Sequence, residues 1–341
     1  MDLVGMSGAF AGEIAALTAA FLWAMATLMF GKMGRQLSPV VLNLAKGMNA
    51  IAFIVITLAV RHTASGMANI SDSQTALPTI SIVYLLVSGA IGIGLGDTAY
   101  FAAINALGAR RALLLETLAP PMTAVLAWIF LAEQLPLRAA AGIVITVCGI
   151  AWVISERVPG TALKAQGAGI KAALLAVFCQ AAGAVLSRAA LIDAAVDPLW
   201  SSLVRLLAGI ALMGALIIWQ PYRLGEYQPN TNQPGTVDSP LSNQPRHSSD
   251  WQHRWQTSLA ALKTPRMLFA VAIAAFFATY LGIWLQQIAL KYTAAGIAQS
   301  LLATSPLFVL PVAALLGDRI SWRATIGAAI ALSGVWLLFF G

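Results

Sequence analysis

Ten apolar runs leave this chain few ways to fold. They lie at roughly 13–33, 39–60, 79–105, 112–132, 138–155, 168–190, 198–219, 267–290, 296–316 and 322–340. A helix needs about 20 mostly apolar residues to cross a bilayer, and each run comes near that length. In lipid, backbone N–H and C=O groups must bond within the segment, so the runs are read as helices. Charged residues make up 10% of the chain, against about 25% in soluble domains. The expectation is an all-α, multi-pass membrane protein. The formal net charge of +7 is scattered over short loops. A nucleic-acid partner would need a clustered basic face, so none is expected.

The runs come in two sets. SPVVLNLAKG (38–47) matches DPLWSSLVRL (197–206), pairing Lys46 with Arg205. AALTAAFLWAMATLMFGK (15–32) matches AALLAVFCQAAGAVLSRA (172–189). FLAEQLPLRAAAGIVITVCG (130–149) matches LLGDRISWRATIGAAIALSG (315–334). The last match pairs Glu133 with Asp318, Arg138 with Arg323, Gly142 with Gly327 and Gly149 with Gly334. In runs four and nine the register is open by one residue, because Pro306 can match Pro120 or Pro121. Five runs per half is an odd number, so the halves enter the membrane in opposite senses. The predicted fold is ten transmembrane helices as two inverted five-helix repeats. One repeat spans 1–157 and the other spans 158–219 with 267–341. Such repeats place binding sites near mid-membrane, between the halves.

The stretch 220–266 interrupts the second repeat. EYQPNTNQPGTVDSPLSNQPRHSSD is rich in Pro, Asn, Gln and Ser, and cannot bury enough apolar surface to order itself. DWQHRWQTSLAALK follows, with Trp251, Trp255, Leu259 and Leu262 on one helical face. It reads as an interfacial helix or as an amphipathic lead-in to the eighth span.

The doubled pattern, in which Leu-Leu and Pro precede Leu-Leu-Gly/Ala-Glu/Asp and a Gly-rich helix, resembles the EamA branch of the drug/metabolite transporter superfamily. Trp23 sits where that family often has tryptophan in its first helix. The resemblance covers nearly all of the chain outside 220–266. It implies a ten-helix bundle with helices 1–4 and 6–9 around a central cavity and helices 5 and 10 at the periphery. It also implies export of a small organic metabolite, with no cofactor. Asp97 and Glu116 depart from the general family pattern, as does the long loop before the eighth helix.

Orientation follows from basic residues, which favour the cytoplasm in short loops. One side of the membrane receives 14 of the Lys and Arg residues and the other receives Arg61, Arg138, Arg188 and Lys291. The count puts both termini outside, whereas related transporters are usually drawn with both inside. The charge count is followed here, because it reads this chain.

Four charges fall well within apolar runs: Lys46, Asp97, Glu116 and Arg205. They sum to zero. An unpaired charge at the bilayer centre costs about 3 kcal/mol or more, so they are expected to face inward and pair. Within the first half, Lys46 is expected to meet Asp97 or Glu116. A static ion pair that only fastens helices is one reading. The functional reading is proton coupling at Asp97 or Glu116. Apolar surroundings disfavour a charged carboxylate and a nearby lysine favours it, so a moving partner switches protonation.

Pro120, Pro121, Pro306 and Pro311 lie in the fourth and ninth runs, where each removes a backbone donor and frees a carbonyl. They are candidate hinges, or packing kinks. Tyr280, Trp284 and Gln287 share a face, with Gln286 beside them, and Asp97 shares a face with Tyr100. Aromatics and amides on inward faces suit a mixed polar and apolar ligand. Tyr280, Trp284, Gln287, Asp97 and Tyr100, with Trp23, Asn43, Lys46, Glu116 and Arg205, form the predicted substrate site. Asn43 is equally suited to a bond across helices. Trp200, Trp219 and Trp322 read as interfacial anchors.

Other signals carry less. Gly92, Gly94 and Gly96 form GxGxG inside an apolar run, which suits close helix packing. Cys148 and Cys179 lie in apolar runs and read as small hydrophobes. His62, His247 and His253 lie in loops, so neither a buried metal site nor a Ser/His catalytic pair is expected. No cleavable leader is expected. The leading reading is a secondary transporter in a bacterial inner membrane, exporting a small metabolite by alternating access. The rivals are a membrane transferase acting on a lipid-linked substrate, and a sensor or assembly protein.

Overall fold

The computed structural model describes residues 11–64, 78–133, 137–154, 163–192, 196–224, 249–305, 308–309 and 322–339. The described residues hold helices and connecting turns, with no strand. The first half contains α1 (Ala11–Met33), α2 (Pro39–Ala64), α3 (Thr79–Gly89), a π-helical segment (Ala90–Asp97), α4 (Thr98–Leu107), α5 (Ala109–Glu116), α6 (Ala119–Leu131) and α7 (Leu137–Ile154). Then come α8 (Leu163–Leu191), α9 (Pro198–Leu224), α10 (Ser249–Leu262) and α11 (Pro265–Ala274). A second π segment (Ala275–Leu281), α12 (Gly282–Tyr292), α13 (Ala295–Leu302) and α14 (Trp322–Phe339) complete the order.

Seven helical stretches among the described residues are long and apolar enough to cross a membrane. They answer to the first four, the sixth, the seventh and the eighth apolar runs. The fifth and tenth runs form α7 and α14, each of 18 residues. The ninth begins as α13 and continues beyond the described residues. The outer surface carries large apolar side chains such as Phe21, Ile56, Phe130, Phe178 and Phe269, all exposed. Against water such a surface would drive aggregation; against lipid tails it is at no disadvantage.

Two interruptions recur. The third and eighth spans each contain a π segment, and the fourth and ninth each break after one short helix. At the first break the Thr117 hydroxyl donates to the Leu114 carbonyl at 2.8 Å. At the second the Thr304 hydroxyl donates to Leu301 at 2.7 Å. Pro120 and Pro121 fall in the first turn of α6, where a missing N–H costs nothing. They therefore start a helix instead of bending one. Pro306 and Pro311 lie outside the described residues.

Small residues set the closest approaches. A Cβ at Gly149 would lie 2.9 Å from the Gly327 carbonyl oxygen, and one at Gly334 would lie 2.6 Å from that of Gly142. Gly149 and Gly334 thus let α7 and α14 pack backbone to backbone. A Cβ at Gly89 would lie 2.5 Å from Arg205 Cα, so α3 and α9 touch through their main chains. Gly89→Ala is expected to lower thermal stability in detergent by about 1–3 kcal/mol, the usual cost of overpacking. Gly214→Ala, also helical but with nothing within 4 Å, should be neutral or slightly stabilising. Equal melting temperatures for the two variants would contradict this packing.

At one end of the bundle, Arg188 donates to the carbonyls of Leu290 and Lys291 at 2.8 and 2.9 Å. Arg188 also pairs with Glu133 at 3.6 Å, and the Lys291 ammonium donates to the Val196 carbonyl. Cations at helix C-termini satisfy orphan carbonyls. At the other end, α10 packs on the bundle: Trp255, Ala261 and Leu262 lie against the core around Phe30 and Phe101. The Ser258 hydroxyl accepts the Ser38 N–H at 3.0 Å. The side chains of Trp251, His253 and Arg254 lie outside the described residues, as does the stretch 225–248.

Candidate transport site

Among the helices lies a cavity of about 90 Å3, room for several waters. All four intramembrane charges line it: Lys46 from α2, Asp97 at the end of the first π segment, Glu116 at the end of α5, and Arg205 from α9. The Lys46 ammonium bonds Asp97 Oδ2 and stands 5.2 Å from the Phe101 ring centroid. The pair is mostly buried, with side chains 7% and 20% exposed. Glu116 makes no hydrogen bond or ion pair among the described residues, and its carboxylate is left to the cavity. Arg205 is 1% exposed and donates to Gln286 Oε1 at 3.3 Å.

Local sequence explains these placements. The first π segment, AIGIGLGD, has glycine at three of its eight positions, and the widened backbone costs little side-chain packing there. Gly92 and Gly183 flank the guanidinium: a Cβ at either would come within 3.3 and 3.7 Å of Arg205 Nη2. Each π segment also offers a carbonyl to a side chain of a neighbouring helix. Asn43 Nδ2 donates to the Ile93 carbonyl at 2.8 Å, and Trp23 Nε1 donates to that of Ala278 at 2.7 Å. Trp23 can lie so close because residue 282 is glycine; any Cβ there would clash with its indole nitrogen.

A family model described as the EamA-like transporter family matches residues 10–155 and 251–340. The chain belongs to the EamA-like transporter family. It is thus a membrane transporter of the drug/metabolite type, a multi-pass protein embedded in a bilayer. A solved crystal structure aligns with it at a TM-score of 0.61, covering 96% of this chain and 97% of that chain at 17% identity. That is a likeness of fold. No curated protein matches the sequence.

In this EamA-like protein, Trp23, Lys46, Asp97, Tyr100, Glu116 and Arg205 come together around one cavity. Tyr100 also meets the Thr27 hydroxyl at 3.3 Å. Asn43, Tyr280, Trp284 and Gln287 do not line the cavity. Asn43 is fully buried in its bonds to Ile93 and to Thr98. Tyr280 bonds Thr57 at 2.7 Å and packs on Phe53, Phe276 and Trp284. Gln287 accepts from the Ser201 hydroxyl at 2.7 Å. The cavity is lined instead by Thr279, Ile283 and Gln286, the stripe one residue behind the predicted one. Gln180, Gln299 and Ser305 also reach it. Their signal in the sequence was an amide or hydroxyl within an apolar run, the same signal that drew attention to Gln287.

Proposed function

We propose that this EamA-like transporter exports a small organic metabolite across the bacterial inner membrane by alternating access, coupled to protons. The observation that carries the reading is the convergence of Lys46, Asp97, Glu116 and Arg205 on one cavity. Charges this costly in lipid persist where they handle cargo or protons. The two carboxylates differ in a way that suits coupling. Asp97 is held by Lys46, whereas Glu116 is unpartnered among the described residues and open to a proton.

Alternating access needs two units that rock about a shared site, and several features support two inverted five-helix units. The π segments recur in the third and eighth spans. The hydroxyl-capped breaks recur in the fourth and ninth. The contacts of Gly149 with Gly327 and of Gly334 with Gly142 are reciprocal, as an in-plane two-fold axis would make them. The direction of transport is the one the family resemblance implies. In this reading Pro120 and Pro121 fix the start of α6 and the break before it absorbs the rocking, with Pro306 and Pro311 serving the second half.

Purified protein in proteoliposomes tests this. A panel of labelled amino acids and drug-like solutes is screened with and without an imposed proton gradient. At least one solute is expected to move, faster with the gradient. A panel in which none exceeds empty liposomes would remove the reading.

A further inference from the structure

The unsatisfied atoms around the cavity share a polarity. Arg205 Nε, Gln286 Nε2, Gln299 Nε2 and the Thr279 hydroxyl are buried without a hydrogen-bond partner. Their residues are 1–3% exposed, and all four line the cavity. Three of the four atoms can only donate, and the hydroxyl can donate. Buried polar groups left unpaired cost about 1–3 kcal/mol each, so four around one cavity call for a ligand rich in acceptors. Gln286 cannot turn to cure the deficit, because its oxygen already accepts from Arg205. The guanidinium has no carboxylate partner among the described residues, whereas Lys46 has Asp97.

We infer that these donors form a carboxylate-binding subsite of the cavity and that the transported solute carries a carboxylate. The planar fork of Arg205 suits two carboxylate oxygens. The amides of Gln286 and Gln299 and the Thr279 hydroxyl supply the remaining donors. Glu116 faces the same cavity and sets a condition on the cargo. A carboxylate beside ionised Glu116 is repelled, so the solute brings its own ammonium or enters with a proton on Glu116. The inference rests on the transport reading for the word "cargo" only; the binding chemistry stands apart from it.

The test is ligand-induced stabilisation of the purified full chain in detergent. The probes are propionate, L-alanine, L-leucine and L-phenylalanine, each compared with its primary amide. At least one acid is expected to raise the melting temperature in a saturable way, and its amide is expected not to. Arg205→Lys keeps the charge but loses the fork, and should raise that acid's Kd by about tenfold or more. Gln286→Glu keeps Arg205 and gives it an internal carboxylate, and should do the same in a folded protein. Response to L-alanine but not propionate would assign an ammonium to the cargo; response to both would assign the proton to Glu116. Equal responses to acids and amides, no response to any acid, or Kd values unchanged in both variants would overturn the subsite. Acid binding without flux in proteoliposomes would leave the subsite standing and remove the transport reading. Flux of amides insensitive to Arg205→Lys would do the reverse.

Discussion

Asp97→Asn is expected to abolish transport and to destabilise the protein by about 3–5 kcal/mol, the cost of leaving a buried charge without its partner. The Lys46 side chain is 7% exposed, and the ion it needs lies at the end of a π segment that Asn43 also holds through Ile93. Thermal unfolding in detergent should fall by roughly 10 °C. Lys46→Met combined with Asp97→Leu removes both charges and should recover much of that loss, because apolar replacement of a buried pair is often neutral or better. Transport should stay absent in the double variant. A pair that only fastened helices would give the opposite result, with transport returning along with stability. Unchanged melting in Asp97→Asn would mean that Lys46 finds another partner.

Glu116→Gln should separate transport from its energy source. The glutamine keeps the volume at the end of α5 and leaves the Thr117 bond to Leu114 in place, so folding should be little changed. Glu116 makes no ion pair among the described residues, so its neutralisation orphans no cation. Uptake driven by an imposed pH gradient is expected to fall at least tenfold, while exchange of labelled for unlabelled solute at equal pH persists. That split distinguishes a proton-carrying residue from one that only shapes the cavity. A variant that kept full gradient dependence would move the coupling site to Asp97 or remove it.

Much of the architecture was legible in residue order alone. Bilayer thickness turns apolar runs into helices, and the cost of charge in lipid turns Lys46, Asp97, Glu116 and Arg205 inward. Neither inference needs coordinates, because both follow from what lipid refuses to solvate. The doubled motif likewise named the family, since its residues match in type and spacing.

Helix rotation and partner choice lay beyond the sequence. Periodicity shows that Tyr280, Trp284 and Gln287 share a stripe, but not which stripe of a span faces the centre. Packing decided that: Tyr280 turned to Thr57 and the aromatic rings of Phe53 and Phe276, and Thr279 and Gln286 took the cavity. Asn43 went to the Ile93 carbonyl, a partner its own local pattern does not announce, because it lies on another helix 50 residues away in the chain. Pro120 and Pro121 were visible as breakers, yet only the fold shows that they open α6 after a break at Thr117. The sequence by itself determined that the chain is a helical membrane transporter with charges at its heart. Tertiary packing alone decided that Asp97 holds Lys46 and that Arg205 and Glu116 line the cavity without an ion-pair partner among the described residues, since pairing depends on distances between helices far apart in the chain.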